Sequence, residues 1–161
     1  MGAPTAQMFR HNYENDVYYY VCCDARDLIS TGIVDHEMLS TLSVPAYVRG
    51  FHVYRTYWTP KEGDILSTAR DRLNPHDKFA VSVLDGNIIV GHLPKEISRV
   101  CAYFIKRGTI QCEVTDSKHR RSEIAKGGLE IPALLIFFGE KEDITRLKWL
   151  LHCLNYISTC T

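Results

Sequence analysis

The sequence lacks the segments and motifs that would assign it directly to membrane proteins, secreted proteins or common enzyme classes. No apolar run approaches the length of about 18 residues that indicates a transmembrane helix. The amino terminus has neither a charged start nor an apolar stretch, so we expect no secretory signal peptide and no membrane partner. No P-loop, His-Glu-x-x-His or Gly-x-Ser-x-Gly motif occurs. We therefore expect a non-catalytic protein that needs no cofactor.

A strong net charge and a metal-binding cysteine pattern are also missing. The formal net charge is zero, and the six cysteines include no Cys-x-x-Cys pair. Scattered cysteines without a signal peptide indicate reduced thiols in an intracellular protein and no metal site. The charge is nevertheless uneven, because residues 44–139 carry 14 basic and 10 acidic side chains, whereas residues 1–43 carry 2 and 6.

The chain of 161 residues is long enough for about one domain, and its 45% hydrophobic content can form a single core. Alternating apolar residues predict strands at 46–57 (with Gly50 inside), 64–71, 79–83, 88–90, 109–114 and 131–138. Helical periodicity predicts helices at 94–107 and 140–155. The polar and basic segment 116–128 is predicted to be a loop. These elements predict a mainly β fold with two helices, an α+β protein built on a small curled antiparallel sheet or partly open barrel.

Residues 1–43 are predicted to be a partly ordered extension of a domain at 44–140, on which a C-terminal helix at 141–161 also packs. Residues 1–15 are polar and predicted to be frayed, residues 16–23 to form a strand, and residues 24–29 and 35–39 to form helical turns. An arm that binds a protein partner is the alternative for this extension.

A predicted hairpin gathers polar side chains at one end. Asn74-Pro75 is typical of a turn, and Asp85-Gly86 suits the tight turn between the two strands. Because the open ends of a hairpin lie side by side, the polar residues there are expected to cluster. They are Asn74, His76, Asp77, Lys78, His92 and Lys95.

Two spaced motifs in this hairpin resemble the HIRAN family. They are Asn74-Pro75-His76-Asp77 through Val83, and Val90-Gly91-His92-Leu93-Pro94. The match extends upstream to the segment 48–54, with Gly50, and downstream to the apolar segment 131–139, so it spans roughly residues 44–140. The resemblance implies a small barrel related to OB-folds and capped by helices.

The resemblance also implies binding of single-stranded DNA at a free 3′ end, in a nuclear setting of DNA repair. In such a site Asp77 would accept a bond from the terminal hydroxyl and repel a 3′-phosphate. Asn74 would contact the terminal sugar or base, and His92 and Lys95 would contact phosphates. His76 would stack on a base, with Lys78, His52 and Tyr54 nearby.

The sequence departs from the DNA-end-binding members of the family at three places. His76 stands where they have tyrosine, His52-Val53 where they have Arg-Tyr, and Leu129 where they have an aromatic residue.

These departures leave alternatives open. One is a protein-interaction module that has lost DNA binding, and another is a hydrolytic or metal cluster at His76, Asp77 and His92. Asn74-Pro75-His76-Asp77 is also a good structural turn, and the cluster 118–121 is either solvated or a second phosphate contact.

Overall fold

The computed structural model describes residues 6–12, 17–22, 39–123 and 127–158, the first two segments by their backbone only. Its strands are β1 (Ala6–Asn12), β2 (Val17–Cys22), β3 (Leu39–Arg49), β4 (Ile65–Arg70), β5 (Val81–Asp85), β6 (Ile88–His92), β7 (Thr109–Val114), β8 (Arg120–Arg121) and β9 (Leu129–Glu140). Its helices are α1 (Phe51–Tyr54), α2 (Lys95–Phe104) and α3 (Lys141–Cys153).

Six antiparallel strands close into a barrel in the order β3-β6-β5-β4-β7-β9. The barrel is closed by β9, which pairs with the whole length of β3, from Leu39 opposite Glu140 to Arg49 opposite Glu130. The weakest seam is between β3 and β6, where only Arg49 and His92 are paired. The predicted mainly β barrel with capping helices is therefore confirmed, and within the described residues it is closed.

The strand predicted at 46–57 is wrong beyond Arg49. Gly50 has a φ of 87°, a left-handed conformation that glycine adopts without strain, and this turns the chain out of the barrel wall. The amide of Val53 donates to the carbonyl of Gly50, and that of Arg55 donates to Phe51, which forms the short helix α1. Phe51 is buried and anchors α1 against the core.

The N-terminal residues add a hairpin to the barrel. Strand β2 confirms the strand predicted at 16–23 and pairs with β3 through Val17 opposite Leu42. Strand β1 pairs with β2 and lies within the segment predicted to be frayed, so that prediction is wrong for residues 6–12. The helical turns predicted at 24–29 and 35–39 lie outside the described residues, except that Leu39 begins β3.

Helices α2 and α3 cover the barrel with their apolar faces. Ile97 and Cys101 of α2, and Leu147 and Leu151 of α3, are completely or almost completely buried. In the part of the chain that the structure describes, no helix has the length and apolar character needed to cross a membrane.

Candidate nucleic-acid interface

The loop between β4 and β5, residues 71–80, is shaped by two of its own side chains. The amide oxygen of Asn74 accepts hydrogen bonds from the backbone N–H groups of His76 (2.9 Å) and Asp77 (3.1 Å). Oδ1 of Asp77 accepts one from the N–H of Phe79 (2.8 Å). Such side-chain-to-backbone bonds are what Asn and Asp supply in turns. Asn74 and Asp77 therefore both have a structural role in this loop.

Asp71 connects this loop to the end of β6. Its Oδ2 lies 2.9 Å from Nε2 of His92 and accepts a bond from the side-chain amide of Asn74 at 3.2 Å. The hydrogen bond from His92 is the main reason that the pKa of Asp71 lies below its ordinary value. Both side chains are partly exposed, at 21% for Asp71 and 23% for His92, so the pair is accessible to a ligand.

The sequence reasoning missed Asp71 as a site residue. The signal was available, because Asp71 follows β4 at the same end of the hairpin where His92 ends β6. It also missed Leu73 on the same loop, which is 93% exposed and offers an apolar surface next to Asn74.

Tyr54 joins this group, whereas His52 has other neighbours. The Tyr54 ring centroid is 6.2 Å from that of His92, with the ring planes at 46°. Burial, and then the negative charge of Asp71, raise the pKa of Tyr54. His52 is on the same short helix, but its ring lies against Gly128, where a side chain would collide with it.

The basic residues around the loop differ in how they are held. Lys78 places its Nζ 5.1 Å from the centroid of the Phe79 ring, and the Arg99 guanidinium lies 5.4 Å from that centroid. Lys95 is exposed in the first turn of α2, where no side chain caps the helix. His76 is also exposed. Phe79 is therefore a half-buried aromatic side chain with two cations over it.

In the second basic cluster, residues 118–121, Arg120 has structural contacts within the barrel. Nε of Arg120 donates to Oε1 of Glu130 at 2.9 Å, and its guanidinium carbon lies 3.6 Å from the centroid of the Tyr47 ring. Glu130 is 1% exposed, and Nε of Arg49 is 3.4 Å from its other oxygen. Arg120 thus balances a buried carboxylate, whereas Lys118 and Arg121 remain exposed.

No group of three or more histidine, cysteine, aspartate or glutamate side chains is arranged to hold a metal ion within the described segments. The arrangement around Asp71 instead offers a carboxylate, an imidazole, an amide and an aromatic ring at one end of the hairpin. The polar groups and the ring suit a ligand with hydroxyl and aromatic parts, and the exposed side chains of Lys78 and Lys95 are the cations that an anionic part would need.

The comparisons with known proteins agree with the fold. The family model described as HIRAN domain matches residues 42–127. The crystal structure of the HIRAN domain of human HLTF is 25% identical, with a TM-score of 0.57, and the match covers 73% of this chain and 92% of that chain. An NMR structure of the HLTF HIRAN domain in its DNA-bound conformation is 26% identical, with a TM-score of 0.52, covering 72% and 90%. No curated protein sequence matches the chain.

Proposed function

This chain belongs to the HIRAN domain family, and from that premise we propose that its barrel binds single-stranded DNA by a free 3′ end. The similar HLTF domain has been solved in a DNA-bound conformation, which supports DNA as the ligand class. The proposed site comprises Asn74, His76, Asp77, Lys78, His92, Lys95, His52 and Tyr54, with Asp71 added. A nuclear role in DNA repair is part of the proposal and follows from the resemblance alone.

The hydrogen-bonded placement of Asp77 is the observation that carries the proposal. Its Oδ1 is held by the N–H of Phe79, so Oδ2 has a defined position from which to accept a bond from a terminal hydroxyl. The same negative charge would repel a terminal phosphate. An end-specific site needs such a fixed acceptor, and the bonds that Asn74 accepts from the backbone N–H groups of His76 and Asp77 keep it in place.

His92 is proposed to contact a phosphate with the help of Asp71. Because Nε2 faces Asp71 at 2.9 Å, Nδ1 is the nitrogen available to a ligand, and in the protonated ring it donates to a phosphate oxygen. Lys95, in the first turn of α2, adds a second cation at a helix start that no side chain caps.

Base stacking is proposed to involve His76 and Tyr54. The Tyr54 ring lies beside His92, one of the proposed phosphate contacts, and His76 is exposed on the loop, where its N–H is bonded to Asn74. Each base–aromatic stack contributes about 1–3 kcal/mol, so these two rings would replace much of what the departures at Val53 and Leu129 remove.

The test is fluorescence anisotropy with a labelled single strand that ends in a 3′-hydroxyl or a 3′-phosphate. We expect the hydroxyl end to bind more tightly. Asp77→Asn keeps an oxygen for the Phe79 amide but removes the charge, so it should abolish the discrimination between the two ends. The matched control is Asp85→Asn, because Asp85 lies at the opposite end of β5. Equal binding of both ends by the unaltered protein would refute end recognition, and no binding of either would refute DNA binding.

A further inference from the structure

Helices α2 and α3 leave an open groove between them on the outside of the barrel. The groove has a volume of about 710 Å³. Its floor is formed by apolar side chains from both helices, namely Val100, Phe104, Leu147, Leu150 and Leu154. Leu147 and Phe104 are buried at the bottom, whereas Leu154 is 50% exposed. An accessible apolar floor between two helices is typical of a surface that binds an amphipathic segment.

The sides of the groove are basic. Arg99, Lys106, Arg107 and Arg146 line it. Among the described residues that line the groove, the single carboxylate is Asp143, and it lies 3.5 Å from Arg107. The lining therefore carries a net positive charge, although the whole chain has a formal net charge of zero.

We propose that this groove binds an acidic amphipathic helix of a partner protein. Two or three apolar side chains of the helix would lie on the floor, and its carboxylates would face the basic sides. Complementary charge would orient the helix and speed its association, while burial of the apolar side chains would supply most of the affinity.

A peptide fits the groove better than a nucleic acid does. A single strand binds through aromatic faces for its bases, but the floor is mainly aliphatic. Tyr103 is 51% exposed, but its ring already has Lys106 Nζ at 5.0 Å and the Arg99 guanidinium at 6.0 Å. The proposal does not depend on DNA binding, since none of the residues proposed to bind DNA lines the groove, although Lys95 belongs to α2.

The test uses a fluorescein-labelled synthetic peptide of about four helical turns, with leucine and phenylalanine at i, i+3, i+4 and i+7 and glutamate elsewhere. We expect the full chain to bind it in an anisotropy titration. Arg146→Glu and Leu154→Ser should each weaken binding by roughly tenfold, the loss that follows from about 1.4 kcal/mol. The matched control is Lys141→Glu, because Lys141 is exposed on the same helix but outside the groove lining.

Cys153 supplies an independent readout, because it is exposed and lines the groove. Bound peptide should slow the alkylation of Cys153, as measured by mass spectrometry, and a peptide with glutamine in place of glutamate should slow it less. Three results would overturn the proposal. They are binding that is indifferent to Leu154→Ser, equal competition by an oligothymidylate of the same charge, and a Cys153 that is already protected in the free chain.

Discussion

Nε2 of His92 lies 2.9 Å from Oδ2 of Asp71, so the last residue of β6 is joined to the residue that follows β4, across the intervening strand β5. This contact fixes the end of a three-stranded unit where the proposed site is located. It also connects the proposed phosphate ligand His92 to the loop that holds Asp77. Both the stability of the barrel and the proposed binding should therefore depend on Asp71.

Replacing Asp71 should change the stability of the protein in acid. The pKa of Asp71 is below its ordinary value of 3.8 in the folded protein, chiefly because of the hydrogen bond from His92. A lowered carboxyl pKa stabilises the fold above the unfolded-state value, and this contribution is lost as the pH falls through the folded-state value. Asp71→Asn should therefore flatten the loss of stability below pH 3.8, measured by urea unfolding. Glu62→Gln, at an exposed position, is the control, and parallel curves for Asp71→Asn and the unaltered protein would contradict the prediction.

Lys78 and Lys95 should each contribute one phosphate contact. Removing one such contact should reduce the slope of log K against log salt by about 0.7 for a single strand. We expect this from Lys78→Ala and from Lys95→Ala, measured by anisotropy across a salt series. Lys61→Ala is the control, since Lys61 is exposed in the loop before β4. Unchanged slopes in both variants would remove these lysines from the site.

Local patterns were enough to predict most elements of the barrel. The alternation at 109–114 predicted β7 to the residue, and the apolar stripe at 94–107 predicted α2 within a few residues, because both patterns come from neighbours in the chain. The closure of β3 on β9 joins residues that are about 80 to 100 positions apart, and no local pattern contains that pairing. The predicted elements left a curled sheet and a partly open barrel both possible, and the family resemblance favoured the barrel.

The site was predictable only in outline, for the same reason. The hairpin predicted from the sequence implied that the polar residues at its open end cluster. In the structure, Asp71, Asn74 and His92 form one hydrogen-bonded group there. The strand predicted through Tyr57 ends early, because Gly50 adopts a left-handed conformation. As a result the Tyr54 ring lies beside His92, whereas the His52 ring lies against Gly128. Which side of a short helix faces a site depends on such a single backbone turn.

Gly91 should tolerate no side chain. A Cβ at this position would collide with Val48 and lie 2.7 Å from the carbonyl oxygen of Arg49, at the seam where only one residue pair joins β3 and β6. Gly91→Ala should cost about 1–3 kcal/mol in the free energy of unfolding, as overpacking in a core does. It should also weaken DNA binding, because His92 is the next residue.

Gly86→Asn is the control, since Gly86 has a φ of 60° with open space around it, and asparagine accepts that conformation. Equal stability of the two variants would show that the seam can open without loss.

Glu130 should stabilise the barrel through its two arginines. Its carboxylate is 1% exposed, accepts a bond from Nε of Arg120 at 2.9 Å and lies 3.4 Å from Nε of Arg49. Glu130→Gln keeps the shape but removes the charge, so it should cost about 1.5–3 kcal/mol, the usual contribution of a hydrogen bond to a charged group. Thermal or urea unfolding measures this. Glu113→Gln on the neighbouring strand β7 is the control and should stay within about 0.5 kcal/mol of the unaltered protein.

The three cysteines whose side chains the structure describes should differ sharply in reactivity. Burial raises the pKa of Cys101 and of Cys112 to about 12, and since the thiolate is the nucleophile, both should resist alkylation at pH 8. Cys153 is exposed at the end of α3 and should react readily with iodoacetamide. Mass spectrometry of the native and the urea-unfolded protein measures all three, and unfolding should make them equally reactive.

Fast alkylation of Cys101 in the native protein would mean that α2 separates from the barrel, since Cys101 is completely buried beneath that helix. The rate at Cys101 thus measures how firmly α2, which carries Lys95 and one side of the groove, is held in place.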